Sequence, residues 1–172
     1  MKNILFILVF ISTFSYSQKI KNNFQIGDSI PNFSSTLTDG TKFNLESLRG
    51  SLILIDFTAS WCLPCRKQNA ELNKTYQTFV YKRFINAKHF NIISISLDDN
   101  QDLWKVTANK DNILWKQQIC DGNGWYSPLA KLFEIKMLPT NYLVDGNGKI
   151  IAKNIWFDEL NNKLRDQIPN SK

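Results

Sequence analysis

Asp56-Phe57-Thr58-Ala59-Ser60-Trp61-Cys62-Leu63-Pro64-Cys65 is the stretch on which the fold turns. The apolar residues 52–57 that lead into it, Leu-Ile-Leu-Ile-Asp-Phe, have the near-continuous hydrophobicity of a strand buried on both faces. Small and polar residues end that strand, two cysteines follow three positions apart, and helical spacing begins beyond Cys65. A helix opening on Cys-x-x-Cys turns its unpaired N–H groups and the positive end of its dipole toward the outer sulfur. Both favour a thiolate there. Cys65, one turn along, can close a disulfide back onto Cys62. The arrangement implies a redox-active dithiol, with an inert disulfide staple as the plain alternative.

Three further features bear on that choice. The chain has a single histidine, His89, and three cysteines, so one copy cannot assemble a Cys₄ or Cys₂His₂ zinc site. Cys62, Cys65, Cys120 and His89 would make four ligands, but no spacing brings them together. Asp56 interrupts the apolar run with a carboxyl group. An ionised carboxylate buried without partners is costly, so such a group stays neutral or finds hydrogen bonds. It is either a strand-end residue bonded to the loop or a buried acid beneath the inner sulfur, able to take the Cys65 proton. Pro139 stands immediately before the apolar residues 140–144, so it belongs at the first residue of a strand, where a missing donor is tolerated.

Around this centre, residues 33–38 and 42–45 predict two short strands joined by an Asp39-Gly40 turn. Leu72, Tyr76, Phe79, Val80 and Phe84 mark the apolar stripe of one long helix, with Arg66, Lys67, Lys74, Lys82, Arg83 and Lys88 as its solvated face. Residues 91–97 predict a second buried strand. The Asp98-Asp99-Asn100 cluster can cap a helix carrying Leu103, Trp104 and Val106. Residues 111–119 suggest a loop with a short strand. Ser127-Pro128 opens a helix with Leu129, Leu132 and Phe133. Residues 140–144 and 149–154 form a hairpin about Asp145-Gly146-Asn147-Gly148, and Asp158 is placed to cap a last helix with Leu160, Leu164 and Ile168. The order predicts an α/β sandwich with a mixed sheet.

Of the 172 residues, the first seventeen have the pattern of a targeting segment: Lys2, an apolar stretch over residues 4–14, then Ser15-Tyr16-Ser17. The apolar part is about half of the ~20 residues a membrane span requires. The expectation is a signal peptide over residues 1–17, an uncleaved anchor being the alternative, and one domain over residues 18–172. Outside the cytosol, disulfides persist. The net charge of +6 is spread along the chain without aromatic-basic interleaving, which argues against a nucleic-acid surface. Cys120 is expected to be a buried apolar filler, a third redox sulfur being the alternative. His89 is expected at the surface near the end of the long helix. The Asn-x-Ser/Thr matches at Asn32 and Asn73 are expected to be unmodified.

Trp61-Cys62-Leu63-Pro64-Cys65 after a strand, together with Leu138-Pro139-Thr140, resembles the thioredoxin superfamily. Within it the chain is most similar to the extracytoplasmic TlpA/ResA-like thiol–disulfide oxidoreductases. The matching features are the leader, Gly27-x-x-x-Pro31-x-Phe33, the Asp39-Gly40 hairpin, Leu48-x-Gly50, Ser96-Leu97-Asp98 and the tail from Leu138 through Leu143-Val144-Asp145 to Gly148-Lys149-Ile150-Ile151. The resemblance covers nearly all of residues 18–172. It implies a thioredoxin-like three-layer sandwich with an N-terminal hairpin, and a cis Pro139 beside the dithiol. It makes Cys62, Cys65, Asp56 and Pro139 the catalytic set and places Trp61, Leu63, Pro64 and Leu138 against substrate. It further implies a periplasmic monomer with no cofactor, no metal and no lasting membrane insertion after cleavage. Its partners would be proteins with disulfides, apocytochrome c among them, and a membrane thiol-reductant donor.

Two departures stand out. Gln68 occupies a position where such proteins often carry glutamate, and Asp56 one where they often carry asparagine, so proton relay would rest on Asp56. Thioredoxin-like and DsbA-like potentials differ by roughly 150 mV, about 7 kcal/mol for two electrons. Leu63-Pro64 has proline where reducing members carry it and lacks the histidine of oxidases and isomerases, which favours a reductase over an oxidant or isomerase. A copper chaperone on this scaffold would want a histidine near the proline loop, and a thiol peroxidase a threonine-containing loop before its cysteine. Neither is present.

Overall fold

The computed structural model describes residues 24–169. The predicted signal segment and the lead-in to Asn23 lie outside them. Two antiparallel strands, β1 (Ser34–Thr36) and β2 (Lys42–Asn44), form the N-terminal hairpin. The main sheet contains β3 (Leu52–Thr58), β4 (Phe90–Ser96), β5 (Gln117–Cys120), β6 (Thr140–Val144) and β7 (Ile150–Lys153), in the order β5-β4-β3-β6-β7. β3 is central, parallel to β4 and antiparallel to β6, and every one of its residues is buried. Among the described residues there are four α-helices: α1 (Leu63–Phe79), α2 (Gln101–Lys110), α3 (Pro128–Leu132) and α4 (Phe157–Asp166).

Alternation along β3 separates two cores. Ile53, Ile55 and Phe57 face the hairpin and α3, packing with Phe33, Phe43, Ile93, Ile95, Phe133 and Tyr142. Leu52 and Leu54 face α1 and α4, packing with Leu72, Phe79, Trp115, Leu143, Leu160 and Leu164. The layers are those of a thioredoxin-like sandwich, as the sequence implied. Asp56 continues the second face and therefore lies beneath α1.

Several local expectations need correction. α1 ends at Phe79, so Phe84 is buried from the following loop instead of extending the stripe. Lys82, Arg83, Lys88 and the exposed His89 belong to that loop as well. In α2 only Trp104, Thr107 and Ala108 turn inward, Trp104 and Ala108 packing with Cys120 of the edge strand; Leu103 and Val106 are exposed. The expected cap from the Asp98-Asp99-Asn100 cluster is supplied by Asn100, which accepts from the N–H groups of Asp102 and Leu103. Trp156 precedes α4 with no side-chain cap, and Asp158 instead supplies an acidic first turn.

Candidate active site

The carboxyl-terminal end of β3 delivers the chain through Ala59-Ser60-Trp61 to α1. Cys62 is the N-cap of that helix, in extended conformation (φ −82°, ψ 94°), and its sulfur accepts the N–H of Cys65 at 3.3 Å. Pro64 lies in the first helical turn, where its missing donor costs nothing. The first turn contains no acidic residue, so no side-chain charge offsets the positive end of the helix at Cys62. Cys62 and Cys65 are joined in a disulfide. Both are buried, Cys62 slightly less so, and they pack with Ala59 and the partly buried Leu138. The Leu138-Pro139 peptide is cis.

Around this shielded pair the surface is apolar. Trp61, Leu63, Met137 and Trp156 are each more than half exposed. Trp61 meets Trp125 with ring centroids 6.1 Å apart. A cleft of about 280 Å³ runs between Met137, Leu138, Pro139 and Trp156 down to Gln68 and Asn141. Thus Trp61, Leu63, Pro64, Leu138 and Pro139 share the end of the sheet that carries the sulfurs.

Asp56 is 1% exposed and lies level with Ser94 on β4 and Asn141 on β6. Burial pushes its pKa up to about 8. The amide of the buried Gln68 donates to Asp56 Oδ1 across a long 3.5 Å. Asn141 is turned away from it, pairing both ways with the backbone of Ile155 at 3.0 Å.

Two positioning clusters were not foreseen from sequence. The buried carboxylate of Asp98 accepts from the N–H of Ser60 at 2.9 Å and from the hydroxyls of Ser60 and Ser96. It fixes the turn just before Cys62. The second cluster holds α1: Arg66 and Asn69 both donate to the Asp111 carboxylate, and Asn73 donates to its carbonyl. Burial would raise the Asp111 pKa, but those hydrogen bonds and the Arg66 charge outweigh it and hold the group below the usual carboxylate range. The spacing Arg66, Asn69, Asn73 on one helical face was the available signal. Cys120 is free and buried beside Trp104 and Ala108, and burial raises its pKa. Among the described residues no group of three His, Cys, Asp or Glu side chains is placed to hold a metal, and no helix is long and apolar enough to cross a membrane.

A thioredoxin-like sheet whose central strand feeds a helix-capping Cys-x-x-Cys beside a cis-proline loop defines the thiol–disulfide oxidoreductases of that fold. Comparison with known proteins agrees. Residues 26–153 match the AhpC/TSA family, and the chain belongs to it. Thiol-disulfide oxidoreductase ResA of Bacillus cereus is 27% identical over 133 residues, 77% of this chain and 71% of that protein. A solved thiol-disulfide oxidoreductase of Bacteroides fragilis is 37% identical with a TM-score of 0.71, covering 81% of this chain and 98% of that one. The thioredoxin domain of a thiol-disulfide oxidoreductase of Bacteroides vulgatus superposes with a TM-score of 0.75 at 27% identity, covering 86% and 100%. Thiol–disulfide oxidoreduction is therefore the activity of this fold and site.

Proposed function

We propose that the protein works outside the cytosol as a reductase of disulfides in exported proteins, by way of a mixed disulfide. Cys62 as helix N-cap, its sulfur accepting the Cys65 N–H, is the observation that carries the reading. In the reduced enzyme the Cys62 thiolate attacks a substrate disulfide. The Cys62–substrate disulfide forms and the other substrate sulfur leaves as a thiolate. Asp56, ionised, takes the proton of Cys65, and the resulting thiolate attacks Cys62 Sγ. The second substrate sulfur departs, and two electrons have passed to the substrate. The enzyme is left as the Cys62–Cys65 disulfide, the form seen here. A membrane thiol-reductant donor must restore the dithiol.

Support for Asp56 in this role is its pKa of about 8, which lets it exchange a proton near neutral pH. The neutral Gln68 beside it cannot do so. Leu138 packs against the sulfurs and its peptide to Pro139 is cis, which supports this loop, together with Trp61, Leu63 and Pro64, as the place where the extended substrate backbone would lie. The direction is supported by Leu63-Pro64 between the cysteines, and export by the leader pattern of residues 1–17. Apocytochromes c are one class of exported client with a cysteine pair to be kept reduced.

Cys65→Ala stops resolution, so the variant expressed in the cell envelope accumulates mixed disulfides through Cys62 that a reductant releases. Their identification names the clients. No adducts from this variant, together with wild-type protein inert toward model protein disulfides, would refute the reading.

A further inference from the structure

Beside Trp61, and sharing no residue with the cis-proline cleft, lies a groove of about 300 Å³ walled by Trp61, Leu97, Trp125 and Tyr126, with Asp99 at its rim. From this groove we infer a specificity subsite: it takes one large apolar or aromatic side chain that flanks the reacting cysteine of a polypeptide substrate. The inference rests on the disulfide-exchange reading of Cys62 and adds the class of substrate.

The walls are exposed aromatics held in place. Trp61, Trp125 and Tyr126 are 56%, 44% and 77% exposed, although nothing in the fold requires large rings at a surface. The Trp61–Trp125 ring contact, tilted by 43°, gives the groove two indole faces. Such rings offer large contact area at little entropic cost. Their backbones are braced from one residue. Asp98 receives the Ser60 N–H on its carboxylate, next to Trp61, and the Gly124 N–H on its carbonyl at 3.3 Å, next to Trp125. Gly124 has φ +53°, a conformation that favours glycine. Asp121 closes the turn, accepting from the Asn123 N–H at 2.9 Å and the Ser127 hydroxyl at 2.7 Å. Lys131 stands over the Tyr126 ring at 5.6 Å. Both walls are thus fixed before any substrate arrives.

Size and position select the occupant. The volume is at the lower limit of small-molecule pockets, enough for a side chain and too little for a cofactor. Trp61 lines the groove and is bonded directly to Cys62, so the subsite is continuous with the reacting sulfur. The Asp99 carboxylate at the rim disfavours acidic neighbours.

The test uses two peptides cyclised through a disulfide and identical except for Phe or Ser beside one cysteine, with oxidised glutathione as a small reference. Reduced wild-type protein should turn over the Phe peptide with kcat/KM about tenfold higher than the Ser peptide, mainly through KM. Trp125→Ala should bring that ratio to about one, and Trp125→Phe should preserve it. Equal kcat/KM for the two peptides with wild-type protein would overturn the inference. So would a loss in Trp125→Ala as large on glutathione as on the Phe peptide. Fluorescence anisotropy of a labelled Phe peptide with serine for cysteine separates binding from redox chemistry. Binding weakened about tenfold by Trp125→Ala, without turnover of any disulfide, would support the groove and sink the disulfide reading. Binding that Trp125→Ala leaves unchanged would sink the groove.

Discussion

Replacing Asp56 with asparagine keeps the shape of the neutral acid and removes its ionisation. The wild-type carboxyl is 1% exposed, faces a single long hydrogen bond from Gln68, and has its pKa raised by burial from 3.8 to about 8. Between those values the folded protein retains a proton that the unfolded chain has released. Stability must therefore fall as pH rises through that window and level off once both states are ionised. Each pH unit in the window costs about 1.4 kcal/mol. At pH 7 the penalty reaches about 4 kcal/mol, and near pH 4 it is close to zero. Asp56→Asn should abolish the slope. Urea denaturation of the oxidised protein between pH 4.5 and 8.5 measures this directly. The variant should exceed wild type by only about 1 kcal/mol at pH 4.5 and by about 4 kcal/mol at pH 7, the latter roughly 10 °C in Tm for a domain of this size. The same variant should accumulate mixed disulfide during turnover, because Cys65 has lost its base. Stability curves for the two proteins that stay parallel within about 1 kcal/mol over the window would refute the reasoning.

Cys120 and Asp111 give further expected outcomes. Cys120 is buried and its pKa raised, so the oxidised native protein should show no titratable thiol with a chromogenic disulfide, and one after denaturation. Cys120→Ser should leave the turnover of model disulfides unaltered. Asp111→Asn removes the acceptor of Arg66 and Asn69 and should cost about 1–2 kcal/mol at pH 7, discounted for the partial exposure of Arg66. Because the Asp111 pKa is depressed, wild type keeps this advantage above the ordinary carboxylate range. The advantage disappears as pH falls through the lowered value, so denaturation curves of the two proteins should converge in acid.

Local chemistry made much of this protein legible in its sequence. The apolar run of β3, interrupted only by Asp56, reads as an interior strand. Cys-x-x-Cys at the following helix start, Asp56 in the run and Pro139 before the next strand each carry meaning within a few residues. Elements whose character depends on distant partners were not legible. The short strand expected within residues 111–119 is β5, but its bounds at Gln117 and Cys120 are set by pairing with β4, and its two glutamines followed by two apolar residues show no alternation that would mark them. Phe84 is buried without belonging to α1, since hydrophobicity records burial and not the helix axis. Asp98 was equally plausible as a cap, and Trp125 as core or rim. Only the tertiary structure places Asp98 between the Ser60 and Gly124 backbones and sets Trp125 against Trp61. Those contacts join residues dozens of positions apart, and no local propensity encodes them.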